Sequence, residues 1–429
     1  MKLLRFGSKG PYVFYLQAAL KNAGYDPGKT DGIFGRRTLA ALTDFQRDYG
    51  LVSDGIAGQL TDAMLYPFLA GYTVYVARPG DTIESIAAAF STSACAIRTA
   101  NPEVDFTLLT AGTELTVPFD FRVVPDDLPV TYALTEILLD GLSARYPFIR
   151  LDSAGRSVMG RRLVTATLGE GETEVFYNAS HHANEWITTL VLLRYLEDYA
   201  AAYASDGTVG TRRADDLFRA STLYLMPLVN PDGVDLVTGA LETNDPNYQQ
   251  AEGLSTFYPD IPFPSGWKAN IEGTDLNLGY PAGWEEAKRI KFEKGFTRPG
   301  PRDYVGTAPL SAVEDRAVYD FTRAHDFKLT VSYHTQGKVI YDRYLDYDPP
   351  RAGEIGRAFS EISGYRLEET PFESGFAGYK DWFIETYNRP GYTVEAGRGV
   401  SPLPLKDFMS IYRENVGILS LGMALAGDP

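Results

Sequence analysis

The stretch Ser180-His181-His182-Ala183-Asn184-Glu185-Trp186 joins two different periodicities. Before it runs Val175-Phe176-Tyr177-Asn178-Ala179, short, apolar and strand-like. After it, apolar residues recur at Ile187, Leu190, Val191, Leu192, Tyr195 and Leu196, a helical pattern that reaches Tyr199. A strand that turns directly into a helix is the building unit of an α/β sheet. Open sheets of that kind place ligands at the carboxyl ends of their strands. A His and a Glu therefore stand where such a fold puts its chemistry.

The chain has four histidines, His181, His182, His325 and His334, and two of them share this loop. His334 follows a second strand-like run, Phe327 to Tyr333. Catalytic zinc takes three protein ligands, often two His and one Glu, and keeps a fourth position for water. His182, Glu185 and His334 fit that count. The competing reading is a pair of surface histidines beside a helix start, since His-x-x-Glu alone is a weak motif.

Other strand ends add to the pattern. Asn230-Pro231-Asp232-Gly233 follows the apolar run Leu223 to Val229. Trp267-Lys268-Ala269-Asn270-Ile271-Glu272-Gly273-Thr274-Asp275-Leu276-Asn277 comes next, and Tyr392-Thr393-Val394-Glu395-Ala396-Gly397 puts a carboxylate at the end of a late strand. This ordered set, over about residues 130 to 429, resembles the zinc carboxypeptidase family. The resemblance implies an α/β domain with a mixed sheet flanked by helices, and one Zn2+ per chain on His182, Glu185 and His334. It implies Glu395 as general base and acid, Lys268 where relatives carry an oxyanion-stabilising arginine, and Asp275 holding the first His ligand. Lysine supplies the charge there but not the bidentate fork. Ser153 to Arg161 resembles the family's early SxGxSxxGR stretch.

Two positions depart from the family. Asn277 is kept as a substrate-binding residue, but Leu278 stands where carboxypeptidases carry an arginine that clamps a free C-terminus. The family's loop tyrosine falls at Glu373 or Phe372, with Tyr379 at a different spacing. The phrases SYHTQGKVIY, ESGFAGYKDWFI and EAGRG look like those of γ-D-glutamyl-diaminopimelate peptidases. That likeness implies cleavage of the γ-D-Glu–meso-diaminopimelate bond of peptidoglycan stem peptides. Such a substrate bears carboxylates on both sides of the bond, and Arg398 or Lys380 are the expected cations. The alternatives are a metallocarboxypeptidase on ordinary peptides and a non-catalytic cell-wall-binding protein.

Residues 1–71 are expected to form a small helical domain, with Val13, Leu16, Leu20 and Ala23, then Leu39, Leu42 and Phe45, at helical spacing. Two turns share one signature, Asp31-Gly32-Ile33-Phe34-Gly35 and Asp54-Gly55-Ile56-Ala57-Gly58, and the repeat resembles a peptidoglycan-binding domain. Residues 72–119 read as strand, two helices and strand, and resemble a LysM domain, which binds glycan containing N-acetylglucosamine. Cys95 is expected in its core. Residues 120–130 read as a linker, and 131–429 as the catalytic domain. Wall-binding modules raise a tethered peptidase's concentration at a polymeric substrate.

Composition closes off other classes. The net charge of −16 and pI near 4.8 argue against nucleic acid and anionic membranes as partners. No apolar run is long enough to span a bilayer. The opening Met1-Lys2-Leu3-Leu4-Arg5-Phe6-Gly7 shows no signal-peptide core. The expected location is at the cell wall or outside the cytoplasm by an unseen export route, or alternatively in the cytoplasm or spore.

Overall fold

A computed structural model describes residues 3–427; of the opening heptapeptide, Met1 and Lys2 lie outside the described residues. The chain divides into two compact units, Met1–Pro129 with Ala133–Arg150, and Val130–Tyr132 with Leu151–Pro429.

In the first unit, helices Pro11–Asn22, Arg36–Asp48 and Gln59–Leu65 bury Val13, Leu16, Leu20, Leu42, Phe45 and Leu65. The repeated turn signature is a repeated structure. Gln17 Oε1 accepts from the amides of Asp31 and Gly32, while its Nε2 donates to Asp31 Oδ1, the Ile33 carbonyl and Thr38 Oγ1. Gln46 does the same one turn on, accepting from Gly55 N and donating to Asp54 Oδ1, Ile56 O and Thr61 Oγ1. Gly32 and Gly55 have φ of +70° and +68°, and a Cβ would strike Phe14 and Leu39 respectively at 2.3 Å.

The following module pairs β1 (Tyr72–Val76) antiparallel with β2 (Glu114–Pro118) around helices Ile83–Ala89 and Ala94–Ala100. Its core is Ile83, Ile86, Ala87, Ile97, Leu115 and Val117. The strand-helix-helix-strand order is as expected from the sequence. Cys95 is exposed, contrary to expectation: its helix buries Ile97 and Ala100, three residues apart on one face, and Cys95 lies off that face. The segment 120–130 lacks helix or strand, yet it buries Val123, Val124 and Leu128, and Arg145 donates to the Phe121 carbonyl at 2.7 Å. The helix Tyr132–Arg145 belongs with this unit through Asp140, which accepts from Tyr66 and, at 2.9 Å, from Tyr72.

The second unit is built on β3 (Arg150–Arg156), β4 (Arg162–Leu168), β5 (Thr173–Ala179), β8 (Ser221–Met226), β9 (Leu329–His334), β10 (Val339–Tyr341), β11 (Arg366–Glu368) and β12 (Gly391–Glu395). A small hairpin, β6 (Thr208–Val209) with β7 (Arg212–Arg213), stands apart. Among the described residues the large sheet runs β11-β10-β12-β9-β5-β8-β4-β3. β8, β5, β9 and β12 are mutually parallel; β4 and β10 run antiparallel to their inner neighbours.

The strand period of two sorts β5 into both helical layers. Phe176 packs with Phe321 of helix Val313–Arg323 and with Tyr379 of helix Tyr379–Tyr387. Tyr177 faces the other way and donates to the Leu419 carbonyl of helix Phe408–Leu425 at 2.8 Å. The fold is thus a mixed sheet between helices, and four parallel strands end along one edge.

Candidate metal centre

That edge collects the sequence motifs. The register pairs Ala179 with Tyr333 and His334 with Glu395. The end of β5, the end of β9 and the end of β12 therefore lie side by side. Beyond β5 the chain makes a single 3-10 turn, Ala183–Glu185, before helix Ile187–Ala204, which brings Glu185 back under His182. The Asn230-Pro231-Asp232-Gly233 motif braces this turn. Asn230 caps its own helix by accepting from Gly233 N at 3.0 Å, and donates to the carbonyls of His181 and Ala269, each at 3.0 Å. Gly233 is required by close approach, because a Cβ there would meet Ala269 O at 2.7 Å and the Ala183 side chain at 2.8 Å.

His182, Glu185 and His334 converge. His182 Nδ1 and His334 Nδ1 lie 3.1 Å apart, and each is 3.1 Å from a different Glu185 oxygen. All three residues are at most 9% exposed. Bonds of ~2.0–2.1 Å at tetrahedral angles hold ligand atoms about 3.3 Å apart, so the donor set fits a zinc-sized cation. The second nitrogen of His182 is spoken for, with Nε2 3.0 Å from Asp275 Oδ1, which leaves Nδ1 for the centre. Lys268 supplies positive charge here, with Nζ 2.9 Å from Glu185 Oε1. Thr335 N donates to Glu185 Oε2 at 3.2 Å.

The electrostatics follow from burial and these neighbours. Burial opposes charge on His182, yet Glu185 and Asp275 outweigh it and carry its pKa up to about 9. Burial would raise Asp275, but His182 holds it well below the usual carboxylate range. His181, fully buried beside the other two imidazoles, is pushed well down and stays neutral. Glu395 is lifted to about 8, first by burial and then by the Glu185 charge.

Two cavities meet at this point. One, about 190 Å³, is lined by His182, Asp275, Asn277, Leu278, Lys380 and Asp381 among others. The other, about 620 Å³, is lined by Asn184, Asp260, Ser265, Thr335, Gln336 and Ser401 among others. Lys268, Arg302, Tyr341 and Glu395 line both.

The expected site residues His182, Glu185, His334, Asp275, Lys268, Asn277 and Glu395 are brought together; Arg398 is not. It is exposed and outside both linings. Lys380 lines the first cavity, but it is buried and its ammonium is bound to Asp381 Oδ1 and the Arg343 carbonyl. Of the positions weighed for the loop tyrosine, Phe372 and Glu373 are exposed, and Tyr379 is fully buried against Thr322. The phenol at the site is Tyr341, whose strand pairs Val339 with Glu395. Sequence reasoning missed Tyr341 and Arg302. The available signals were the strand period beyond His334 and the Pro299-Gly300-Pro301 turn before Arg302.

A zinc carboxypeptidase family model matches residues 135–404, a putative peptidoglycan binding domain model residues 9–65, and a LysM domain model residues 75–118. The gamma-D-glutamyl-L-diamino acid endopeptidase 1 of Lysinibacillus sphaericus is 38% identical over 305 residues, covering 71% of this chain and 75% of that protein. The spore cortex-lytic enzyme of Bacillus cereus is 44% identical over 64 residues, 15% of this chain and 25% of that one. Among solved structures, bovine thrombin-activatable fibrinolysis inhibitor, in complex with tick carboxypeptidase inhibitor, matches with a TM-score of 0.54 at 18% identity, over 70% of this chain and 98% of that chain. That last likeness is one of fold.

Proposed function

The chain belongs to the zinc carboxypeptidase family and is a metallopeptidase, and from that premise we propose that it hydrolyses the γ-D-glutamyl–meso-diaminopimelate bond of peptidoglycan stem peptides. The observation that carries the reading is the junction of the two cavities, lined on both sides by Lys268 and Glu395 beside the His182, Glu185 and His334 donor set. A cleft open on both sides of the reacting groups accommodates substrate on both sides of the bond. The Lysinibacillus relative carries the same bond class in its name, and the peptidoglycan-binding and LysM matches direct the chain to a wall polymer.

His182, Glu185 and His334 would hold one zinc, which when bound lowers the pKa of a water to ~7 and polarises a carbonyl. Asp275 keeps the proton of His182 on Nε2 and so presents Nδ1 as a lone pair. Glu395 takes the proton of the attacking water and passes it to the leaving amine. Lys268 is the cation at hand for charge developing on the scissile carbonyl oxygen. Asn277 turns its Oδ1 to the Tyr379 amide at 3.1 Å, which fixes its amide group at the cavity wall. Leu278 packs with the cluster of Trp284 and Tyr379, so the wall beside Asn277 is apolar where a C-terminus clamp would need charge.

The test is a mass-spectrometric digest of defined muropeptides by the zinc-loaded protein. Scission between D-Glu and diaminopimelate is expected, and Glu395→Gln should lower turnover by about 10²–10⁴-fold with zinc content unchanged. Release of only C-terminal residues from ordinary peptides would replace this reading with that of a general carboxypeptidase. Inactivity of the zinc-loaded protein on both would leave a wall-binding protein.

A further inference from the structure

The loop after Pro299 brings to the site a cation that no motif marks. We propose that Arg302 determines specificity by binding the α-carboxylate that a γ-linked glutamyl residue leaves free on the acyl side of the scissile bond.

Position comes first. Arg302 is one of four residues lining both cavities, beside Lys268 and Glu395. Its loop is stapled to the segment that carries those motifs. The Pro301 carbonyl accepts from Lys268 N at 2.7 Å and Ala269 N at 3.0 Å, Asp275 N donates to the Tyr304 carbonyl at 2.9 Å, and Asp303 N donates to Asp275 Oδ2 at 3.0 Å.

The donor inventory comes second. The cations lining the two cavities are Lys268, Lys291, Arg302 and Lys380. Lys268 is engaged by Glu185, Lys291 by Asp303 at 2.6 Å, and Lys380 by Asp381 at 2.6 Å. Arg302 uses only Nε, on Asp303 Oδ2 at 2.6 Å, and its side chain is 44% exposed. Among the described residues its two Nη groups have no partner. Asp303, itself gripped by Lys291, holds Nε and leaves the Nη1–Nη2 edge, with its pair of parallel N–H donors, on a residue that lines the cleft. That pair is the half of a bidentate carboxylate site that the protein must provide.

Chemistry supplies the other half. In a γ-linked glutamyl residue the main chain runs through the side-chain carbonyl, and the α-carboxylate remains as a free branch. An α-linked residue has an amide there, and so does a glutamyl residue whose α-carboxylate is amidated. A preorganised guanidinium at the junction favours the first over both.

The proposal rests on the bond assignment of the preceding subsection, and its test separates the two. The probes are L-Ala-γ-D-Glu-meso-diaminopimelate and the same tripeptide with D-isoglutamine, its α-carboxamide. The wild type should prefer the carboxylate by about 10- to 100-fold in kcat/KM, the range of hydrogen bonds to charged groups. Arg302→Gln should lose that preference, mainly through KM, and process the carboxamide as the wild type does; Arg302→Lys should regain part of it. Equal loss on both substrates, or an undiminished preference, would overturn the proposal. Calorimetric binding of the dipeptides L-Ala-D-Glu and L-Ala-D-isoglutamine to wild type and Arg302→Gln gives a readout free of turnover. If the wild type cleaves neither tripeptide, the bond assignment falls, and the dipeptide comparison still decides whether Arg302 selects the carboxylate.

Discussion

Asp275 links the donor set to the loop that carries Arg302. One oxygen meets His182 Nε2 and the other accepts the Asp303 amide. An asparagine in its place keeps the volume but offers only one acceptor, and loses the charge that favours a donating Nε2. Asp275→Asn is therefore expected to weaken zinc binding by about 10–100-fold, read by competition with a chelator. An unchanged affinity would remove Asp275 from its positioning role. At this scale the sequence was most legible where chemistry and punctuation coincide. His182, Glu185, His334 and Glu395 each end a strand or open a helix, so periodicity marks them as strand-end residues, and the resemblance to the family groups them. Arg302 was not legible because it sits in no distinctive motif; Tyr341 closes the phrase SYHTQGKVIY, but nothing in that phrase marks it as a site residue. Arg302 reaches the site through backbone bonds to residues over thirty positions away, and Tyr341 through the register of an antiparallel neighbour. Cys95 was misjudged because composition says which residues tend to be buried, not which face of a seven-residue helix they occupy.

Whole elements show the same division between what a pattern announces and what packing adds. The two DGIxG turns were visible as a repeat; the glutamines that read them were not, since Gln17 and Gln46 lie inside helices, 14 and 8 residues from the aspartates they grip. Each buried amide closes its turn onto the helix before it. Gln46→Ala would leave the Gly55 amide and the Ile56 carbonyl without that partner, a cost of about 1–3 kcal/mol per stranded buried group. The expected result is a lowered melting transition of the first unit, with unchanged kcat on a soluble stem peptide; an unshifted melt would show that water replaces the amide. The second-unit counterpart is the Asn230 brace. Gly233→Ala drives a methyl into the Ala269 carbonyl and the Ala183 side chain, contacts with no flexible end to yield. Displacement of the Ala183–Glu185 turn should follow, together with a fall in zinc per chain measured by metal analysis. Full zinc occupancy in Gly233→Ala would show that the turn holds its geometry without the brace.

Across the molecule, the buried acids and the donor set make the metal-free protein a proton reservoir. The pKa is carried up to about 7 for Glu314, first by burial, to about 8 for Glu395 by burial and Glu185, and to about 9 for His182, where Glu185 and Asp275 overcome burial. All three are raised above their unfolded values, so the stability they contribute is present at low pH and lost as pH climbs through the folded values. His181 and His334 are displaced the opposite way, held down chiefly by burial, and are neutral in both states above pH 7; Asp275 and Glu185 are ionised in both. Between pH 7 and 9 these raised groups set the slope together with Asp315, which full burial pushes well above the usual carboxylate range. The folded chain then holds at least about one more proton than the unfolded chain, worth on the order of 1 kcal/mol or more per pH unit. The melting temperature of chelator-treated protein should accordingly fall by several degrees from pH 7 to pH 9. A dication on His182, Glu185 and His334 competes with the protons on His182 and Glu395. Zinc loading should therefore flatten the profile, and the stabilisation it gives should grow with pH. Calorimetric melts of both forms across this range check the argument. A metal-free melting temperature that is flat or rising would mean that these groups release their protons in the fold as readily as in the open chain.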